Sequence, residues 1–228
     1  SLIVVTWNSW EDLDRCLRSV YESKFEHSLE VIVIDNASID GSAEKVAQKY
    51  SQVKLHYNSS NLGHSKGTNQ GFRLARGEYV ALLDVDTEFE PDMLDGMLQF
   101  LQAHSDISLA TPRTLNSDGS IQESARNLPS VMSGIFGRQS KLTELFPNNP
   151  FSRRYLARDY LNKSEPFQVE QISAACMMFP RSLLDDIGLW DERYPGYWVD
   201  TDWCAHINSE GKKIFCVPAF EITHHENN

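Results

Sequence analysis

The sequence predicts an α/β domain in which helices cover both faces of a mainly parallel central sheet. Strand-type and helix-type patterns alternate through about residue 111, which is typical of parallel sheets. The strand patterns at residues 2–6, 29–34 and 79–83 are short apolar runs, as expected for strands buried on both faces. The length of 228 residues suffices for a full core in one domain, or in one domain with an appendage.

The first half of the chain alternates strands with helices. The strands are predicted at residues 2–6, 29–34, 53–57, 79–83 and 107–111. Ser9 can cap the first helix, and Leu13, Leu17 and Val20 then recur at helical spacing. The later helices are predicted at residues 43–50, 65–76 and 91–104. In this arrangement Asp35 and Asp84 directly follow strands, at the sheet edge where such folds bind ligands.

The second half of the chain has a different pattern. Residues 116–119 predict a turn and therefore a hairpin. Residues 127–165 are irregular, polar and interrupted by prolines, so we interpret them as an insertion or a mobile substrate loop. A strand is predicted at residues 169–179, helices at 180–187 and 200–210, and terminal strands at 213–217 and 220–224. Because a buried strand begins at residue 2, the chain is expected to be trimmed from a longer one.

Composition and charge exclude several classes of protein. The net charge of −11 and the scattered basic residues do not indicate a nucleic-acid binder. The longest apolar runs are far shorter than the roughly 20 residues of a membrane-spanning helix. The four cysteines form no C-x-x-C pair, which argues against a zinc or redox motif and favours a reducing, cytoplasmic setting.

Asp84-Val85-Asp86 is the first candidate for chemistry. Two carboxylates at a strand end can present oxygens to Mg²⁺ or Mn²⁺, metals that commonly also bind substrate phosphates. Two further D-x-D patterns occur, at residues 12–14 and 200–202. The first of these lies in a helix's first turns, where acidic residues need no ligand to explain them. The sequence therefore predicts a metal or diphosphate site at Asp84 and Asp86.

Three other segments each allow a functional and a purely structural interpretation. Residues 35–42 either place Asp35 against a nucleobase or form a capped loop between strand and helix. Residues 61–71 either bring backbone N–H groups and Lys66 to an anion or simply begin a helix; neither a Walker loop nor G-x-G-x-x-G is present. Residues 198–204 either hold a general base beside aromatic rings or form an ordinary helix start.

His224 and His225 close the set of candidates. Neighbouring residues of a strand point to opposite faces, so at most one of the two easily reaches a given metal.

Taken in order, these segments resemble the family 2 glycosyltransferases, and in particular their rhamnosyltransferase-like branch. The resemblance rests on Val-Val-Thr-Trp-Asn at residues 4–8, Asp-Asn-Ala-Ser-Ile-Asp-Gly-Ser at 35–42 and the Asn-x-Gly pairs at 61–63 and 69–71. It continues through Asp-Val-Asp at 84–86, Gly-Leu-Trp-Asp-Glu at 188–192, Asp-Thr-Asp-Trp-Cys at 200–204 and the histidine pair. The resemblance implies a three-layer α/β/α GT-A fold, with a Rossmann-like, mainly parallel sheet and a small mixed C-terminal sheet.

The resemblance also implies an organisation and a set of site residues. Residues 1–228 form one domain, with a nucleotide-sugar half at 1–111 and an acceptor half at 112–228. The implied donor-binding residues are Thr6, Asn8, Asp35, Ser38, Asn61, Gly63, Lys66, Asn69 and Asp84. The implied ligands of Mn²⁺ or Mg²⁺ are Asp84 and Asp86, completed by either His224 or His225. Asp200 is the implied general base, and the implied acceptor-binding residues are Trp190, Asp191, Trp198 and Asp202.

The implied reaction is an inverting sugar transfer from a nucleoside-diphosphate sugar, with UDP or dTDP expected, to a glycan or lipid-linked acceptor. The expected location is the cytoplasm, at the inner face of the membrane if segments outside this chain associate with it. Asp84-Val85-Asp86 stands where many of that branch have Asn-Pro-Asp, which leaves the donor sugar open. A sugar nucleotidyltransferase and a non-catalytic nucleotide- or glycan-binding module remain as alternatives.

Overall fold

The protein is described by a computed structural model that covers residues 1–136, 140–160 and 162–225. Its strands form one sheet of mixed direction, in the order β3-β2-β1-β4-β8-β6-β9-β5, with β7 paired to β9. The strands are β1 Leu2–Thr6, β2 Val31–Asp35, β3 Lys54–Tyr57, β4 Tyr79–Asp84, β5 Thr87–Phe89, β6 Ile107–Leu115, β7 Phe167–Val169, β8 Cys176–Pro180 and β9 Lys213–His224.

Helices pack on both faces of this sheet and divide the core into two clusters. The helices are α1 Trp10–Glu22, α2 Ser42–Lys49, α3 His64–Leu74, α4 Met93–Ala103, α5 Val131–Ile135, α6 Lys141–Leu145, α7 Pro150–Tyr155, α8 Leu183–Ile187 and α9 Val199–Ser209. Alternate residues of β1 face opposite clusters, so Leu2 and Val4 belong to one and Ile3 and Val5 to the other. Among the helices of the described ranges, none has the length and apolar character that a membrane crossing requires.

The first half of the fold follows the sequence prediction closely. β1 pairs in parallel with β2 and β4, and β2 pairs in parallel with β3. The carboxyl ends of these strands therefore share one edge, and Asp35 and Asp84 end β2 and β4 there. The first helix begins as predicted at Trp10, but Ser9 does not cap it by its side chain, because its hydroxyl donates to Trp7 O.

The structure differs from the prediction in four places, three of them in the second half of the chain. The predicted strand at 169–179 is two strands, because β7 runs antiparallel to β9 while β8 pairs with β4 and β6. The two predicted terminal strands are one, β9, which changes register against β6 between Pro112 and Arg113. Strand β5 was not predicted. Residues 127–165 hold the three short helices α5, α6 and α7 rather than only irregular chain.

The four cysteines are all free and buried, as expected for small thiols in a core. Burial raises the pKa of Cys176, Cys204 and Cys216 to about 12, so these thiols stay protonated in the folded protein.

Candidate active site

The first part of the site lies where β1 and β2 end. Thr6 and Asp35 are register partners of the parallel pair, and both residues are buried. Asp35 Oδ1 accepts the Ser38 N–H at 2.9 Å, which fixes the carboxylate. Asp35 Oδ2 and Thr6 Oγ1 are buried and have no hydrogen-bond partner in the described chain. Because buried polar atoms are usually paired, these two oxygens are available to a ligand at this edge.

The loops that follow β1 and β2 are tied to each other by Asn8 and Ser38. The Asn8 N–H donates to Ser38 Oγ at 2.9 Å, and the Ile39 N–H donates to Asn8 Oδ1 at 2.7 Å. Asn8 takes a left-handed backbone conformation with φ of 51°, which asparagine tolerates better than most residues. Asn8 and Ser38, both predicted to bind the nucleotide-sugar donor, therefore fix the conformation of the loops beside Asp35.

The start of α3 forms the next part of the rim. Asn61 Oδ1 accepts the Gly63 N–H at 2.8 Å, and Lys66 is exposed on the first turn. Gly63 has φ of +84°, and a Cβ there would lie 3.0 Å from Pro195 O. The His64 N–H donates to that same carbonyl at 2.9 Å. The glycine thus allows a close approach of the 190s loop, in addition to any approach by a ligand.

Asn69 and Trp190 have structural positions rather than the predicted ligand contacts. Asn69 is buried; its Nδ2 donates to Trp190 O at 2.9 Å and to Glu192 Oε1 at 3.0 Å, and its Oδ1 accepts the Trp190 N–H at 3.0 Å. The Asn69 amide is therefore engaged within the protein and does not face the site of the nucleotide-sugar donor. The Trp190 ring is 2% exposed and packs against Phe72 and Trp203, so it cannot line an acceptor surface.

Asp84, Asp86 and His224 form a candidate metal site. One ligand atom from each of them lies within 4.8 Å of the others. His224 Nε2 is 3.1 Å from Asp86 Oδ1 and 3.9 Å from Asp84 Oδ2. The antiparallel pairing of β5 with β9 sets Thr87 opposite His224, which brings the histidine to the carboxylates. Two carboxylate oxygens and an imidazole nitrogen, partly open to solvent, fit a Mn²⁺ or Mg²⁺ ion that keeps positions for phosphate oxygens.

His225, the other histidine that the prediction left open as a ligand, does not join this group. Its Nε2 lies 3.2 Å from Glu88 Oε2 and its Nδ1 lies 3.0 Å from Ser117 Oγ. His225 follows the last residue of β9, and its side chain contacts Glu88 and Ser117 rather than the carboxylates that His224 faces.

Burial raises the pKa of Asp84, and the neighbouring carboxylates Asp86 and Asp200 raise it further. His64 and His224 lower it but do not compensate for the burial. A carboxyl with a raised pKa takes up a proton more readily, and a divalent cation binds the deprotonated form, so metal binding should weaken as the pH falls.

The predicted base and acceptor residues occupy the start of α9 and the loop before it. Asp200 lies in the first turn and is close enough to Asp84 to raise its pKa. Asp202 is exposed on the other side of that turn, where its charge acts on Arg193. Trp198 is exposed with φ of 72°, whereas Asp191 is paired with Arg193 through two hydrogen bonds from Nε. Of the predicted acceptor contacts, Trp198 and Asp202 thus remain accessible.

Sequence reasoning missed two residues of this site. His64 Nε2 is buried, has no hydrogen-bond partner in the described chain and lies 3.8 Å from Asp84 Oδ1. Gln122 Oε1 lies 3.1 Å from His224 Nδ1. Position 64 follows the Asn-x-Gly segment directly and could have been singled out, whereas Gln122 has no local signal and depends on the hairpin beside it.

A family model decides the wider relationship. The model of glycosyl transferase family 2 matches residues 1–188. The chain belongs to that family. It therefore carries a glycosyltransferase domain, as the sequence predicted. Asp84 and Asp86 of the candidate metal site lie within the matched residues, whereas His224 lies beyond them.

Curated relatives of this glycosyltransferase domain extend over nearly the whole chain. An N-acetylglucosaminyl-diphospho-decaprenol L-rhamnosyltransferase of Mycobacterium tuberculosis is 28% identical over 99% of this chain and 75% of its own length. A low-salt glycan biosynthesis hexosyltransferase of Haloferax volcanii is 25% identical over 99% of this chain and 67% of its own length.

Solved structures share the fold at low sequence identity. GalNAc-T7 with UDP, GalNAc and Mn²⁺ superposes with a TM-score of 0.74 at 16% identity, over 99% of this chain and 43% of its own. A Pyrobaculum calidifontis mannosyltransferase with GDP-Man and Mn²⁺ gives 0.67 at 18% identity, over the full chain and 56% of its own. The chain thus spans about half the length of these structures. The fold is the GT-A fold that the sequence predicted.

Proposed function

We propose that this domain transfers a sugar, with inversion, from a nucleoside-diphosphate sugar to a hydroxyl of a glycan or lipid-linked acceptor. One observation carries the proposal: the Asp84–Asp86–His224 group lies at the same sheet edge as the unpaired oxygens of Thr6 and Asp35. A nucleoside diphosphate would extend along this edge, with its diphosphate at the Asp84–Asp86–His224 group and its nucleobase at Thr6 and Asp35.

The base-binding part favours a pyrimidine nucleotide. Uracil and thymine carry an N–H between two carbonyl groups, and Asp35 Oδ2 is an acceptor with no competing partner in the described chain. Thr6 Oγ1 can donate to one of those carbonyls. Asn8, Ser38, Asn61, Gly63 and Lys66 would shape the rim around the nucleotide. We therefore assign UDP or dTDP as the nucleotide of the donor.

Asp84, Asp86 and His224 would hold Mn²⁺ or Mg²⁺. When bound, the metal supplies positive charge that stabilises the diphosphate as it leaves. The carboxylates must be deprotonated to hold a cation, so the raised pKa of Asp84 makes a proton compete with the metal.

Asp200 acts as the general base in this proposal. The acceptor oxygen attacks the anomeric carbon, the bond from that carbon to the diphosphate oxygen breaks, and the acceptor's proton passes to Asp200. The nucleoside diphosphate leaves with the bonding electrons, and attack opposite to it inverts the anomeric configuration. The charge of Asp200 acts on Asp84, and this proximity to the proposed diphosphate site supports its role as the general base.

The acceptor lies on the side of α9 in this proposal. Trp198 and Tyr197 are exposed at its start, and sugar rings pack well on such aromatic faces. The exposed carboxylate of Asp202 can accept hydrogen bonds from hydroxyl groups. The Mycobacterium tuberculosis relative is named for a lipid-linked acceptor, which supports the same class here. A cytoplasmic location accords with four free, buried cysteines.

The test measures release of nucleoside diphosphate from UDP- and dTDP-sugars in the presence of Mn²⁺ and a lipid-linked acceptor preparation. We expect one donor to release nucleotide with acceptor present, and Asp200→Asn to slow this by about 100-fold or more while nucleotide binding persists. Asp185→Asn is the matched control, since Asp185, like Asp200, is a first-turn acid of its helix, but it is exposed and is not among the proposed site residues. Nucleotide binding without turnover for any donor would favour a non-catalytic binding module instead.

A further inference from the structure

Residues 127–165, called the insert below, expose apolar side chains to an unusual degree. Of the fourteen large apolar or aromatic side chains exposed in the described part of the chain, seven belong to the insert. Val131 is 89% exposed, Leu145 is 69% exposed and Phe146 is 56% exposed. The other four are Ile135, Leu142, Phe151 and Tyr160. Patches of this kind mark interaction surfaces.

The insert buries polar side chains in exchange. Thr143 and Ser152 are buried between α6 and α7, and their Oγ atoms lie 3.0 Å apart. Ser152 Oγ also donates to Phe136 O at 2.8 Å. The insert thus buries hydroxyl groups together with Leu156 and Ala157, while most of its larger apolar side chains face outward. This arrangement is the reverse of a small helical core in water.

Three of the exposed apolar side chains, Leu145, Phe146 and Phe151, share one surface. Phe136 and Phe151 stack with ring centroids 5.5 Å apart. They line a cleft of about 490 Å³ together with Leu145, Phe146 and Pro147. Phe151 also borders a second cleft of about 330 Å³, whose lining includes Met132 and Arg154. One surface therefore combines aromatic rings, aliphatic side chains and an arginine.

The charge of the insert opposes that of the chain. Its six basic and three acidic residues give it a net charge of +3, whereas the whole chain carries −11. Arg153 and Arg154 sit in the last turn of α7, where they pair with Asp159 and Glu170, and the Arg154 side chain stays 68% exposed. Two copies of this face would repel each other, whereas an anionic surface would attract it.

We propose that the insert docks the protein onto an anionic phospholipid bilayer. The exposed leucine and phenylalanine side chains enter the interfacial region, and the arginines face lipid phosphates, as in other interfacial segments. The earlier expectation put membrane association outside this chain; the structure assigns it to the insert. The link from membrane docking to a lipid-linked acceptor rests on the proposed function. The binding of the insert to lipid does not depend on it.

The insert is attached close to the candidate metal site. Arg158 Nε donates to Glu123 Oε1 at 2.9 Å, and the adjacent Gln122 contacts the His224 ring. The Asn127 N–H donates to Tyr155 O at 2.9 Å, which closes the base of the insert. The insert is thus attached to the segment that contacts the histidine of the candidate metal site.

The test is sedimentation of the 228-residue protein with vesicles of phosphatidylcholine alone or mixed with phosphatidylglycerol. We expect binding to the anionic vesicles, little binding to the neutral ones and release by high salt. Leu145→Asp should weaken anionic-vesicle binding by at least about tenfold. Leu74→Asp is the matched control, because Leu74 is also an exposed leucine at the last position of its helix. Arg154→Ala should weaken binding more than Arg76→Ala, whose arginine is exposed outside the insert.

Each outcome decides the inference. Absence of wild-type binding to anionic vesicles, or equal losses in Leu145→Asp and Leu74→Asp, would overturn it. A wild-type dimer that becomes monomeric in Leu145→Asp, with no vesicle binding, would assign the surface to a second copy instead. Thermal unfolding of each variant checks that it folds. Nucleotide binding in the same samples separates the two proposals. Loss of lipid binding alone counts against membrane docking, and loss of nucleotide binding alone counts against the proposed function.

Discussion

The imidazole of His224 owes its orientation to Gln122. Nδ1–H donates to Gln122 Oε1 at 3.1 Å, which leaves Nε2 facing the two carboxylates. The glutamine amide is held in turn, since its Nε2 donates to Asn116 Oδ1 at 3.2 Å. Outer partners of this kind fix the tautomer and direction of a metal-binding histidine.

Gln122→Ala should therefore weaken Mn²⁺ binding by about 10–100-fold, because the ring loses its anchor. Gln122→Glu keeps an acceptor for Nδ1–H and should restore most of the affinity. Titration calorimetry with Mn²⁺ measures both. Gln48→Ala, at an exposed position of α2, should bind like the wild type. Equal affinities for Gln122→Ala and the wild type would show that Gln122 does not support the site.

Helix α3 rests on the sheet through two glycines. A Cβ at Gly67 would lie 2.8 Å from Val5 Cγ1, and a Cβ at Gly71 would collide with the Ile3 side chain. Both positions face β1, whose far end carries Thr6. The close packing of α3 on β1 thus fixes the distance between the start of α3 and the base-binding edge.

Gly71→Ala should destabilise the protein by about 1–3 kcal/mol, because the methyl group overpacks a core that has no room for it. Gly134→Ala is the control: it is also a helical glycine, but no atom lies within 4 Å of the Cβ position. That change should be neutral or slightly stabilising through helix propensity. Urea unfolding measures both, and similar losses in the two variants would contradict close packing at Gly71.

Asp14 joins α1 to α2. Burial alone would raise the pKa of its carboxyl, but hydrogen bonds from Lys49, Tyr50 and Arg18 outweigh this and lower the pKa. Lys49 Nζ lies 2.6 Å from Asp14 Oδ1, and the Tyr50 hydroxyl donates to that oxygen at 2.7 Å. A lowered pKa in the folded state means that the ionised carboxylate stabilises the fold.

This contribution has a defined pH dependence. It is fully present above the unfolded pKa of about 3.9 and is lost as the pH falls through the lower folded pKa. Asp14→Asn should therefore cost about 1–3 kcal/mol at pH 7, and the difference from the wild type should shrink in acid. Unfolding free energies measured from pH 7 to pH 3 test this. A difference that stays constant over that range would assign the loss to packing rather than charge.

The first half of the site was predictable because its signals are local. Asp35 and Asp84 directly follow apolar strands, so the alternation of strand and helix already places them at one edge. Helices α6 and α7 also have local signals in the sequence that indicate where each helix begins. Ser140 accepts the Leu142 N–H, and Asn149 accepts the Ser152 N–H before Pro150, so both helices have capping residues in the sequence.

The remaining features depend on contacts between distant parts of the chain. Strand β5 has three residues and exists through its pairing with β9, which is also what brings His224 to Asp86. Asn69 and Trp190 match motifs, but their mutual hydrogen bonds bridge 121 residues. Residue patterns identify such side chains without showing whether they face a ligand or each other.

The sheet unites both halves of the molecule. β4 pairs in parallel with β1 and antiparallel with β8, so the donor edge and the strands of the second half belong to one hydrogen-bonded surface. The candidate metal group lies where these halves meet, with Asp84 from β4 and His224 from β9. A ligand that contacts both should therefore stabilise the whole fold rather than one half.

The most direct measurement is the free energy of unfolding with UDP, dTDP or GDP, each with and without Mn²⁺. One pyrimidine nucleotide with Mn²⁺ should stabilise the wild type by about 2.7 kcal/mol at 100 times its dissociation constant. Asp86→Ala should lose the metal-dependent part alone, Asp35→Ala should lose stabilisation with and without metal, and Asp185→Asn should match the wild type. No stabilisation by any nucleotide, or a full metal-dependent gain in Asp86→Ala, would contradict a donor site spanning Asp35 and the Asp84–Asp86–His224 group.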